Sequence, residues 1–203
     1  MALVKYNNNS LSAVTAASSL PTGAMTLIKE QTASSSATIS FVDGTSDVVL
    51  DSTYPIYVFK WINIHPSSDN IEFQVNFRDG STAYDATKTT TFFYADHRED
   101  DAGASLSYDT GRDLAQSTGV QHLGYSLKGD ADADLCGQLN LYNPSSTTFV
   151  KHFIARTAYM HSSSEVHDSY IAGYCNVTAA IDGVQFAMST GTFDGTFKLY
   201  GVS

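Results

Sequence analysis

The chain has 203 residues, with 21 Asp and Glu against 11 Lys and Arg, and a formal net charge of −10 at pH 7. That balance argues against a nucleic-acid binder, whose affinity rests on cations against phosphates, and against docking on anionic lipid. With 42% hydrophobic and 12% aromatic residues, the chain carries enough apolar side chain to fold, and its length suits one domain with a sizeable core.

Residues 1–22, MALVKYNNNSLSAVTAASSLPT, are small, polar and nearly uncharged, which predicts an N-terminal arm followed by one domain over 23–203. The opening residues lack the charged start and apolar stretch of a signal peptide, and no run approaches the roughly 18 apolar residues of a membrane helix. The expectation is a protein made in a cytosol without membrane insertion.

From residue 23 onward, short β-branched and aromatic runs are separated by Ser, Asp, Asn and Gly, the spacing of a many-stranded fold. Strands are predicted over 24–30, 36–42, 47–51, 55–64, 70–77, 89–96, 135–142, 148–159 and 170–177, and in a closing pair within 183–203. Ile71, Phe73, Val75 and Phe77 alternate with Glu72, Gln74 and Asn76, and Val184, Phe186 and Met188 with Gln185 and Ala187, the period of half-buried strands. No stretch holds a 3.6-residue period, so the reading is all-β: an antiparallel two-sheet sandwich of jelly-roll type. Cys136 and Cys175 fall in predicted strands without a CxxC companion and read as buried free thiols. Trp61, Tyr57 and Phe59 read as packing between sheets, with Tyr54 and Tyr57 reaching toward the surface.

Two long connections, 97–134 and 160–169, are where a rigid β scaffold carries contacts. They hold His97, Arg98, Asp100, Arg112, His161 and His167, which are the candidate partner-contact residues. His161 and His167 share one predicted loop and suggest a metal only where copies meet. In KGDADADL, Asp130, Asp132 and Asp134 recur at spacing two like the start of a calcium loop. Leu135 and Leu141 occupy the positions where such a loop needs Gly and Glu, so Ca2+ is a candidate there against a solvated acidic loop. ADHREDD offers acid and base groups with no nucleophile or oxyanion donor beside them, and no GxSxG, P-loop, GxGxxG or HExxH occurs. The chain reads as a non-enzyme without a cofactor.

The stretch SSSATISFVDGTSDVVLDSTYPIYVFKWINIHPSSDNIEFQVNF (Ser34 to Phe77), with TTTFFYADHRED, LNLYNPSSTTFVKHFIARTAY and the ending GTFKLYGV, resembles uncharacterised virion structural proteins of marine tailed bacteriophages, of cyanophage type. The resemblance runs from about Leu20 to Ser203. It implies a virion component and carries no catalytic or binding residues with it. The expected partners are major capsid or tail proteins and further copies of this chain, a trimer by preference. Within that frame a capsid-decorating or cement role is expected, and the alternative is a tail-fibre or appendage module that binds a host receptor or glycan.

Overall fold

The structure, a computed structural model, describes residues 24–203; the arm expected over 1–22 lies outside them. Among the described residues there are strands and no helix: β1 (Met25–Ser36), β2 (Thr38–Val42), β3 (Ile56–Pro66), β4 (Ile71–Arg78), β5 (Lys88–Arg98), β6 (Ala104–Tyr108), β7 (Gln121–Leu127), β8 (Leu135–Tyr142), β9 (Lys151–His161), β10 (Glu165–Cys175), β11 (Gly183–Met188) and β12 (Phe193–Val202). Among the described residues, no helix is long and apolar enough to cross a membrane.

The all-β, antiparallel expectation holds, but the strands form one continuous, nearly closed sheet where two were expected. Its path runs β1-β12-β3-β8-β9-β7-β4-β11-β2, and β10, β5 and β6 extend from the other edge of β9. The length of β9 explains the junction. β8 follows one of its edges as far as the Leu135–Tyr159 pair, and just beyond, at the tip, His161 pairs with Leu127 of β7. At the far ends of the path, β1 and β2 are consecutive in the chain, and Gln31 Nε2 donates to the Ser40 carbonyl at 2.9 Å. The result is barrel-like.

Inside lies a cluster of aromatic rings supplied by alternate positions. Val184, Phe186 and Met188, and Phe197 and Leu199, point inward as their period predicts. Phe186 lies 5.3 Å from Phe197, 5.5 Å from Trp61 and 5.9 Å from Phe73, centroid to centroid. Tyr57 is fully buried and does not reach the surface; its hydroxyl donates to the Asp51 carbonyl at 3.0 Å. In β3 the alternation breaks because Asn63 adopts φ 52, and register shifts against both neighbouring strands flank it, so Asn63 joins Ile62 in solvent and Ile64 turns inward. Residues 47–51 are an irregular connection that buries Val48 and Leu50 rather than the expected strand: Gly44 N–H donates to the Val48 carbonyl, and Asp43 accepts from Leu50 N–H. The connection expected over 97–134 contains two strands, β6 and β7, and that expected over 160–169 shrinks to the turn Ser162–Ser164 between β9 and β10. Both cysteines are free; Cys175 is buried as expected, whereas Cys136 is half-buried.

At the end of β4, Arg78 Nε and Nη2 donate to the Asp182 carboxylate at 3.0 and 2.9 Å, and Gly80 N–H adds a bond of 3.1 Å. Burial alone would raise the Asp182 pKa; the guanidinium and the Gly80 N–H outweigh it and hold it below the usual carboxylate value. The pair therefore stabilises the fold above about pH 4 and loses that contribution as pH falls through the lowered pKa. Urea titrations between about pH 5 and pH 2 are expected to show a shallower acid decline for Asp182→Asn than for the wild type. Parallel curves would remove this pair from the account.

Candidate functional site

The β9–β10 hairpin and β7 enclose a polar, aromatic cluster beside the apolar core. The tight turn sets His161 opposite Glu165 and Tyr159 opposite His167. His161 and His167 both face inward, one 9% and the other 2% exposed. Their rings stack with centroids 4.3 Å apart and planes 12° from parallel. Glu165 Oε1 lies 3.1 Å from His161 Nδ1 and 3.0 Å from His167 Nε2. The Ser163 N–H donates to His161 Nδ1 at 3.1 Å, and His167 Nδ1 lies 3.4 Å from the Tyr159 hydroxyl.

Three tyrosines wall this group. Tyr94 stacks on His167 at 5.0 Å, and Tyr125 meets His161 edge-on at 5.4 Å and His167 at 5.3 Å. The Arg112 guanidinium caps Tyr125 from 3.7 Å above the ring and is itself paired with Asp109 and, at 3.7 Å, Glu72. Burial, then the neighbouring His167, pull the His161 pKa down, the Glu165 carboxylate opposing. Burial pushes the Tyr159 hydroxyl up to about 12. At that value the Tyr159 hydroxyl keeps its proton near neutrality. Ser169 is within reach of the Tyr159 oxygen, at 3.5 Å.

Of the residues singled out in the sequence, the structure brings His161 and His167 together within one chain, on strands rather than in a loop. Arg112 joins the same cluster through Tyr125. His97 is exposed beside Asp101, at 3.3 Å, and Arg98 forks onto Asp100 at 2.9 and 3.0 Å. Asp130 pairs with Lys128 at 3.3 Å, and Asp134 lies against Cys136; with Asp132 they do not form a ligand group of the kind that His161, Glu165 and His167 make. Glu165, Tyr125 and Tyr159 were not singled out. For Glu165 the signal was present, as H-x3-E-x-H closes on itself across a three-residue turn.

The second feature lies on the outer face of β6, β5, β10 and β9. Tyr108, Phe93, Tyr170 and Arg156 stand in register across the four strands. Phe93 and Tyr170 stack at 4.9 Å with planes 3° apart, and the Arg156 guanidinium sits 4.9 Å over Tyr170. Asp168 fixes this row by bonding Arg156 and the Tyr170 hydroxyl, the latter at 2.8 Å. Leu106, Val166 and Ile154 surround it, half or more exposed, and β6 has a hydrogen-bonded neighbour on one side alone. Comparison with models of known protein families, with curated proteins and with solved structures finds no match to this chain.

Proposed function

We propose that the chain is a non-enzymatic structural protein of a bacteriophage particle, of the capsid-decorating type, that binds neighbouring virion proteins through the outer face of β5, β6, β9 and β10. The observation that carries this reading is the exposed aromatic and aliphatic surface on those strands. Contiguous apolar area of this kind is a mark of an interaction surface. Its rings are already ordered by stacking and by Asp168, so covering them costs little side-chain entropy. The open edge of β6 adds unpaired backbone groups that a partner strand satisfies. The segments that resemble virion proteins support the source of the partner, and a symmetric homo-oligomer belongs to the same reading. So does a jelly-roll arrangement of the sheet as two facing walls, which the shared aromatic core of β3, β4, β11 and β12 supports.

A second reading, a tail appendage module that binds a host glycan, is favoured by one observation: Tyr108 and Phe93 offer exposed rings beside the ion-paired Arg156 and Asp168, the mixture of flat apolar and charged groups that a sugar requires.

The test is to count this chain against the major capsid protein in purified virions by quantitative mass spectrometry. Hundreds of copies support decoration of the shell, and a few dozen or fewer move the chain to the tail or a vertex and favour the glycan reading. The chain's absence overturns both. A Phe93→Ser, Leu106→Asp variant is expected to fold normally and to be depleted from particles by about tenfold or more.

A further inference from the structure

Among the described residues, one group of three or more potential ligand side chains has all its donor atoms within 4.8 Å of one another: His161, Glu165 and His167. We propose that this group is a site for a divalent transition-metal ion, with Zn2+ as its natural occupant, set where β9 meets β7.

The donor set comes first. Two imidazoles and one carboxylate are zinc ligands, and three protein ligands leave a fourth position for water. Zn–N and Zn–O bonds of about 2.0–2.2 Å place tetrahedral donor atoms roughly 3.3 Å apart. The two contacts of Glu165 Oε1, at 3.1 and 3.0 Å, are already on that scale. All three donor atoms lie within 4.8 Å of one another, and a tilt of the His161 ring out of its stack on His167 completes the set.

The electrostatics point the same way. Glu165 Oε1 lies 3.1 Å from His161 Nδ1 and 3.0 Å from His167 Nε2, so a cation at their common centre meets an anionic ligand in a largely buried cluster. The Ser163 N–H donates to the single in-plane lone pair of His161 Nδ1, and an ion bound there takes that lone pair in its place. The nearby positive charges that oppose binding are engaged by carboxylates of their own: Arg112 by Asp109 and Glu72, Arg98 by Asp100, and Lys128 by Asp130.

The surroundings supply what a metal centre needs around its ligands. His167 Nδ1 meets the Tyr159 hydroxyl, whose oxygen also accepts the Tyr125 N–H at 3.3 Å, so the ring orientation is held from behind. Tyr94 stacks on the His167 ring, and Tyr125 stands perpendicular to it. Glu165 lines a shallow surface pocket with His97, Arg98 and Val166, which gives an ion a route in. The backbone of His161 makes the pair with Leu127 that joins β9 to β7, so an ion held here fastens the turn to that junction.

The experiment uses the full-length chain without an affinity tag, stripped with EDTA. Calorimetric titration with ZnCl2 is expected to give one ion per chain, Co2+ to give the visible bands of a four-coordinate centre, and the melting temperature to rise with Zn2+. Glu165→Gln and His161→Gln, each checked for a metal-free melting curve like that of the wild type, are expected to weaken binding by at least about tenfold. A His97→Ala, His152→Ala control is expected to bind as the wild type does. The proposal is overturned if the folded wild-type chain takes up no stoichiometric Zn2+, if binding survives both cluster substitutions, or if it disappears in the control. These outcomes are independent of whether the chain is found in virions.

Discussion

Replacing Phe197 with alanine is expected to destabilise the fold by about 3–5 kcal/mol, with little change in the denaturant slope. The ring is completely buried, and its neighbours come from separate strands: Phe73 at 6.2 Å, Phe186 at 5.3 Å and Phe193 at 5.8 Å. Three rings drawn from β4, β11 and β12 cannot close over the vacated space without moving strands fixed by hydrogen bonds on both sides, so the hole stays open. β12 also lies between β1 and β3, with Phe197 opposite Gln31 and Trp61, which leaves its backbone no freedom to adjust. A guanidinium titration checks the value, and a loss below about half a kcal/mol would show that β12 is not part of the core.

Gly137→Ala is expected to cost about 3 kcal/mol despite adding a single methyl group to a strand. Gly137 sits in β8 between Trp61 of β3 and Thr157 of β9. A Cβ at this position would lie 2.7 Å from the Trp61 indole nitrogen and nearer still to the Arg156 backbone carbonyl. The indole is fully buried and the carbonyl belongs to a strand paired on both edges, so neither retreats cheaply. Gly103→Ala is the matched control, because its added methyl meets nothing closer than the Arg98 side chain at 3.7 Å. Thermal melts of the two variants are expected to separate clearly, and equal melting temperatures would remove the close approach of Trp61 from the account.

The fold was legible where burial acts on one face. β8 has the bounds its sequence predicts, Leu135–Tyr142, because Leu135, Leu139 and Leu141 alternate with Cys136, Gln138 and Asn140. β6 was not legible: as an edge strand exposed on both faces it has no alternation to display. β7 was hidden in a different way. Leu123, Tyr125 and Leu127 do alternate, but Gln121, His122, Gly124 and Ser126 give the stretch the composition of a loop. The junction at the tip of β9 decides between one sheet and two, and it rests on a single residue pair that no local pattern encodes. The candidate cluster was half visible. His161 and His167 drew notice as types, but their meeting depends on the register of a three-residue turn, and that register also recruits Glu165. The tyrosines around them arrive from β5, β7 and β9, and only the closed sheet makes them neighbours.

The strand order also governs when the molecule can form. β1 and β2 are made early, yet β1 pairs with β12 and β2 with β11, and β11 and β12 also supply the partners of β4 and β3. While ribosomal synthesis of residues 183–202 is unfinished, four earlier strands each keep a bare edge, and Phe59, Trp61 and Phe73 lack Phe186 and Phe197 to pack against. Closure therefore waits for release of nearly two hundred residues, and the long sequence separations place it among slow folders, on the millisecond-to-second scale. In the interval the nascent chain exposes the unpaired strand edges on which chaperones and aggregation compete.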